Sequence, residues 1–248
     1  VWHADGDVHL PVRPFHDSAR QPRYEEGESV KQRLRKLLEG RDLDGVAEEA
    51  QRHRRTLGAL LSLTFDPDPL IAWRAVEATG VAAQHIADDA PNVVREHLRR
   101  LFWLMSEESG GICWRAPETM AEIVRRRPDL FGDYIPIVVS LILELAEEDL
   151  DHFRGGVLWA IGRLGVLADD HIDHALSTIT AALDHGDSQI RGTAVWCLEQ
   201  VGRANLLAGR PALRSDEGTV ELYEDGLLSR AVVRDLYHRA LRGEPAER

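Results

Sequence analysis

The sequence predicts an all-α fold, an α-α superhelix of stacked antiparallel helix pairs closed by a small C-terminal β-hairpin-plus-helix cap. Three observations predict it. Four segments, 68–80, 109–121, 150–162 and 187–199, align with one another without gaps. Their apolar anchors Ile71, Ile112, Phe153 and Ile190 step by 41, 41 and 37 residues. After Gly209-Arg210-Pro211 the helical period gives way to alternation and a turn signal.

Residues 1–27 carry Pro11, Pro14 and Pro22 and no sustained period, so they read as an extended arm. Ser29 is a suitable N-cap for a first helix that ends at Gly40. Helices over 43–53 and 54–64 follow, up to the breaker Asp66-Pro67-Asp68-Pro69. In each aligned segment a small or β-branched residue lies four positions after the anchor: Ala75, Ala116, Val157 and Ala194. Ala78, Thr119, Ala160 and Cys197 follow three later, then Ala82, Ile123, Leu164 and Val201 four beyond. Spacings of four, three and four mark one helical face, and small residues on it let helices pack closely. Helical runs over 90–105, 134–147 and 171–184 supply the second member of each pair. The repeat domain is assigned to 28–208. In the appendix, 209–248, residues 219–223 alternate, Glu224-Asp225-Gly226 turns, 227–233 returns as a strand, and a helix over 232–241 finishes the chain. Its expected role is to cover the last helix pair.

The fourth copy, with Asp187, Ile190, Arg191, Ala194, Leu198 and Gly202 in register, resembles the consensus of HEAT repeats, particularly the short PBS-lyase HEAT-like kind. The resemblance covers about 54–208 and implies a HEAT-like solenoid. It implies no single activity, since that family spans scaffolds, chromophore lyases, hydroxylases and DNA-repair enzymes.

With 42 acidic against 30 basic residues, the formal charge of −12 repels phosphate backbones and anionic membranes, so nucleic acid and membrane are not expected as partners. Cys113 and Cys197 lie far apart and belong to no metal-ligand pattern, which points to a reduced compartment, and a cytoplasmic protein is expected. The longest apolar stretch, 135–146, is too short and too interrupted to span a bilayer, and no signal-peptide pattern opens the chain. No metal or cofactor is called for. No nucleophile elbow, P-loop or dinucleotide fingerprint is found.

The candidate site comes from the helical wheel. With Ile71 at 0° and 100° per residue, Trp73 falls near about 200° and Glu77 near about 240°, away from the core stripe. Trp114 and Glu118 repeat these two slots, whereas Gly155 and Gly192 take the first slot in the later copies and Trp159 and Trp196 the second. Such a face is either the concave groove of the superhelix or a seam between repeats. The binding set is therefore Trp73, Arg74, Glu77, Trp114, Arg115, Glu118, Trp159 and Trp196, with Arg74–Glu77 and Arg115–Glu118 as ion pairs three apart or as a polar recognition strip. An open ladder requires at least two of the four tryptophans to be exposed. Pro117 obliges its helix to kink or to start late. The acidic loops before the inner helices, Asp66, Asp68, Glu107, Glu108, Glu147, Glu148, Asp149, Asp151, Asp184 and Asp187, suit N-capping. The expected function is a non-catalytic scaffold gripping a protein or peptide on the Trp/Arg-lined face. A DNA-repair-type enzyme and a cofactor-handling lyase or chaperone are the alternatives.

Overall fold

The computed structural model describes residues 29–105, 115–147 and 151–243. The proposed arm and the entrance to the second aligned segment, Trp114 included, lie outside the described residues. What is described is mostly helical, with one small antiparallel sheet near its C-terminal end.

Helix α1 (Val30–Glu39) starts at Ser29, whose side chain and that of Gln32 close a capping box. Gly40 remains right-handed and Arg41 takes the left-handed turn, with φ of 51°. Helices α2 (Leu43–Arg52) and α3 (Thr56–Leu63) bring the chain to α4 (Pro69–Asp89). Asp68 caps α4 through the amide of Leu70, and Asp187 caps α11 (Ser188–Gln200) through that of Gln189. Between them run α5 (Pro91–Met105), α6 (Ala116–Arg126), the single turn α7 (Pro128–Phe131), α8 (Ile135–Glu147), α9 (Asp151–Leu164) and α10 (Leu176–Ala181). Pro117 sits in the first turn of α6, where its missing N–H costs nothing, so this helix starts late rather than kinking.

Helices α4, α6, α9 and α11 pack side by side in chain order, with α5 and α8 bridging successive members. The spaced small residues lie at these contacts: Ala75, Ala78, Ala82, Ala116, Ile123, Ala160, Ala194 and Cys197 are all fully buried. Burial also drives the Cys197 thiol pKa well above its ordinary value. A β-carbon on Gly80 would lie 2.7 Å from the Glu122 carbonyl oxygen, so α4 and α6 approach backbone to backbone.

One element differs from expectation. The pattern predicts one helix over 171–184, but α10 has six residues, separated by 172–175 from a 3-10 turn that ends at His171 and followed directly by another over 182–184. Thr180 donates to the carbonyls of Leu176 and Ser177, the local bonding by which Ser and Thr compete with a regular helix.

Strands β1 (Thr219–Glu224) and β2 (Leu227–Val232) pair with Thr219 opposite Val232 and Glu224 opposite Leu227. Asp225 and Gly226, with φ of 47° and 87°, form the two-residue loop that suits the strand twist. Helix α12 (Val233–Arg242) packs on α11. The hairpin reaches further than a terminal cap. β1 lies against α11 and β2 reaches α4, so the hairpin crosses the row of inner helices, that is, α4, α6, α9 and α11.

Candidate functional site

The hairpin lies on the face that carries the two tryptophan slots. Its outer edge is held by side chains. Ser188 donates to the Thr219 carbonyl at 2.7 Å, and the Gln189 amide both donates to the Glu221 carbonyl and accepts from its N–H, each at 2.9 Å. The Trp159 indole donates to the Tyr223 carbonyl at 3.0 Å. The edge is thereby closed by helix-borne polar groups instead of a third strand. Trp196 donates to the Glu224 carboxylate at 2.8 Å.

Tyr223 points into the inner helices. Its ring stacks on Trp73, with centroids 5.5 Å apart and planes 3° apart, and its hydroxyl donates to Glu77 at 2.6 Å. Arg41 grips the same carboxylate with two hydrogen bonds, at 2.8 and 3.2 Å. Burial pushes the Glu77 pKa up, but Arg41 and Tyr223 outweigh it and hold the group below the usual carboxylate value. Burial, and then the Glu77 charge, raise the Tyr223 hydroxyl far above its ordinary pKa. The Arg74 guanidinium donates to the carbonyls of Leu38, Glu39 and Gly226, tying α1 to the hairpin tip.

Two sequence expectations change here. Arg74 and Glu77 are not each other's partners: Arg74 serves backbone carbonyls, and Arg41, 36 residues away from Glu77, takes the carboxylate. Arg115 and Glu118 do pair, at 3.6 Å. Trp159 and Trp196 are only 2% and 1% exposed and add nothing to an open ladder, because the hairpin covers them. Trp73 is partly buried, and Trp114 lies outside the described residues. Sequence reasoning missed Arg41, Gln189 and Tyr223. The alternation of 219–223 showed a strand but not which helices it would meet.

Beside β1 the face stays open. A cavity of about 230 Å³ lies between the hairpin and the N-terminal turns of α6, α9 and α11. Trp73, Phe153 and Trp159 supply apolar walls, and Arg115, Glu118 and Glu221 supply charge. The Arg115 guanidinium lies 3.9 Å from the centre of the Trp73 ring, a close cation–π contact. Glu118 is buried, which raises its pKa above the ordinary value, and Arg115 opposes the shift without cancelling it. A β-carbon on Gly156 would lie 2.6 Å from a Glu118 carboxylate oxygen, whereas one on Gly155 would meet no atom within 4 Å. The cavity is thus a mainly apolar recess with one poorly solvated carboxyl and one guanidinium, chemistry suited to recognition. Among the described residues no group of three His, Cys, Asp or Glu side chains could hold a metal ion, and no helix is long and apolar enough to cross a membrane.

No protein-family model matches the chain. It is similar to an uncharacterized protein of Archaeoglobus fulgidus, with 27% identity over 180 residues, covering 71% of this chain and 91% of that protein. The likeness supplies no activity.

Proposed function

We propose that this chain is a non-catalytic, HEAT-like binding module of the cytoplasm that takes a short segment of a protein or peptide partner in the recess beside its own hairpin. The observation that carries the reading is the cavity itself, with Trp73, Phe153 and Trp159 as walls and Arg115 and Glu118 as its charged groups. Tryptophan and arginine in a desolvated pocket are the composition of binding hot spots. The hairpin gives an internal precedent, since Ser188, Gln189 and Trp159 already read the backbone of an extended strand. Inner helices further along the same face are occupied in cis, so the partner meets the recess and its Glu221 rim rather than a long open ladder.

Gly155 supplies the test, because space for a side chain is free at its α-carbon and that space belongs to the recess. A displayed library of short peptides is panned on the wild-type protein, and the selected peptides are titrated by fluorescence anisotropy. Binding weakened by about tenfold or more in both Gly155→Leu and Trp73→Ala is expected. Peptides that bind Gly155→Leu as tightly as wild type, or a library that yields no binder, would sink the reading.

A further inference from the structure

Towards the C-terminal ends of α6 and α9, away from the recess, charged side chains gather, Glu122 between Arg125 and Arg163. Glu118, Glu122, Arg125 and Arg126 lie on one stripe of α6, spaced by four, three and one. Glu122 is fully buried and accepts from two arginines, Arg125 at 2.9 Å and Arg163 of α9. Arg127, the last of the basic run, turns away to Asp88 and Asp129. Arg126 is left over. It is half-buried, its Nε is shut off from solvent without a hydrogen-bond partner, and among the described residues no ion pair reaches it. Burial and the nearby charge of Arg125 lower its pKa, and it lies close enough to Glu122, Glu77 and Arg163 to feel their charges.

The charges around Arg126 do not balance. Arg125 and Arg163 share the single carboxylate of Glu122, and Glu77 is already committed to Arg41 and Tyr223. Asp225 at the hairpin tip acts on Arg41 and Arg163 but is bonded to neither. Among the described residues, Arg125, Arg126 and Arg163 stand against Glu122 and Glu77, the carboxylates whose charge acts on Arg126, so this cluster holds one cation more than it has anions, in a chain whose overall charge is −12. A partly desolvated guanidinium without a partner is costly, and its planar fork of donors matches an oxyanion.

We propose that Arg126, flanked by Arg125 and Arg163, binds the oxyanion of a phosphoryl group, free or carried on a peptide, against the hairpin-facing side of α6 and α9. The site is separate from the recess: none of these three arginines lines it. Failure of one therefore leaves the other standing. Arg163 lies 5.8 Å from the Trp159 ring centre, so occupancy has an optical reporter.

The test is a titration at fixed ionic strength, with chloride replaced by inorganic phosphate, read by tryptophan fluorescence and by Tm. A parallel arm compares a phosphoserine peptide with its unphosphorylated counterpart. A saturable response in wild type, weakened about tenfold or more in Arg126→Gln and in part restored in Arg126→Lys, is expected. Tighter binding of the phosphopeptide than of inorganic phosphate assigns the group to a peptide, and equal affinities assign it to a free ligand. Without phosphate, Arg126→Gln is expected to be at least as stable as wild type, since an uncompensated charge is removed. A purely structural arginine predicts the reverse. No saturable response in wild type, or an equal one in Arg126→Gln, overturns the proposal.

Discussion

The two halves of the inner-helix row fill the same positions with opposite groups. In α4 the first slot holds Trp73 and the second Glu77, while in α9 and α11 the first slot holds Gly155 and Gly192 and the second Trp159 and Trp196. The exchange is explained by what lies above each half. A β-carbon on Gly192 would lie 2.6 Å from a Val220 methyl, so the strand sits where the side chain is missing. Trp159 and Trp196, one turn on, then donate to Tyr223 and Glu224 at the end of that strand. At α4 the order reverses: the hairpin presents its own aromatic, Tyr223, to Trp73 and its hydroxyl to Glu77. Gly192 seats the strand in one half while Gly155 leaves the recess open beside it, and in the other half Glu77 receives the Tyr223 hydroxyl.

The largest effect expected from this contrast is on stability. Trp159→Ala removes a 2%-exposed indole that contacts Trp73, Trp196 and Tyr223, a loss of about 3–5 kcal/mol. Trp73→Ala, at a partly buried position, is expected to lose clearly less. Urea denaturation of both variants measures the difference, and equal losses would show that the two slots are equivalent.

Next comes the seat itself. Gly192→Val drives a branched side chain into Val220 and is expected to cost about 1–3 kcal/mol through overpacking. Hydrogen exchange should localise the damage, with amides of β1 and β2 losing protection before those of α4. Uniform loss across the chain would mean that the hairpin is not a separable layer on the helices.

Much of this was legible in the sequence and part was not, for physical reasons. Periodicity reports which face of a helix is apolar, so the buried Ala75, Ala116, Ala160 and Ala194 could be read directly. The Trp–Gly exchange was visible too, as a sign that one bulky group moves between slots. What fills the vacated slot was not visible, because Val220 meets Gly192 and Tyr223 meets Glu77 across long separations that no local spacing encodes. The same limit explains Arg74, which looked like the natural partner of Glu77. An i,i+3 pair is only a weak preference, and Arg41 offers the carboxylate a two-bond grip.

The two second-slot glutamates sharpen the comparison through pH. The Glu77 pKa lies below its unfolded value, so the stability it contributes is present above that value and is lost as pH falls through the folded pKa. Glu77→Gln is therefore expected to destabilise at pH 7 and to converge with wild type in acid. Glu118 is shifted the other way, so its contribution is present below the unfolded value and is lost as pH rises through the folded one. Glu118→Gln should be no less stable than wild type at pH 7. Thermal denaturation of both variants across the acid range decides it, and parallel curves would remove the distinction.

The smallest expected effect separates two adjacent glycines. Gly155 and Gly156 both lie within α9, where replacing glycine by alanine ordinarily stabilises by about 0.5–1 kcal/mol by restricting the unfolded backbone. At Gly155 the new methyl meets nothing within 4 Å, so the full gain is expected. At Gly156 it would lie 2.6 Å from the Glu118 carboxylate, which must move within a buried site and away from its position near Arg115. Gly156→Ala is thus expected to lose the helix gain and fall at or below wild type. Chemical denaturation at several pH values measures both changes. A gain at Gly156 as large as that at Gly155 would mean that Glu118 is free to swing aside, and that the recess is softer than its buried carboxyl implies.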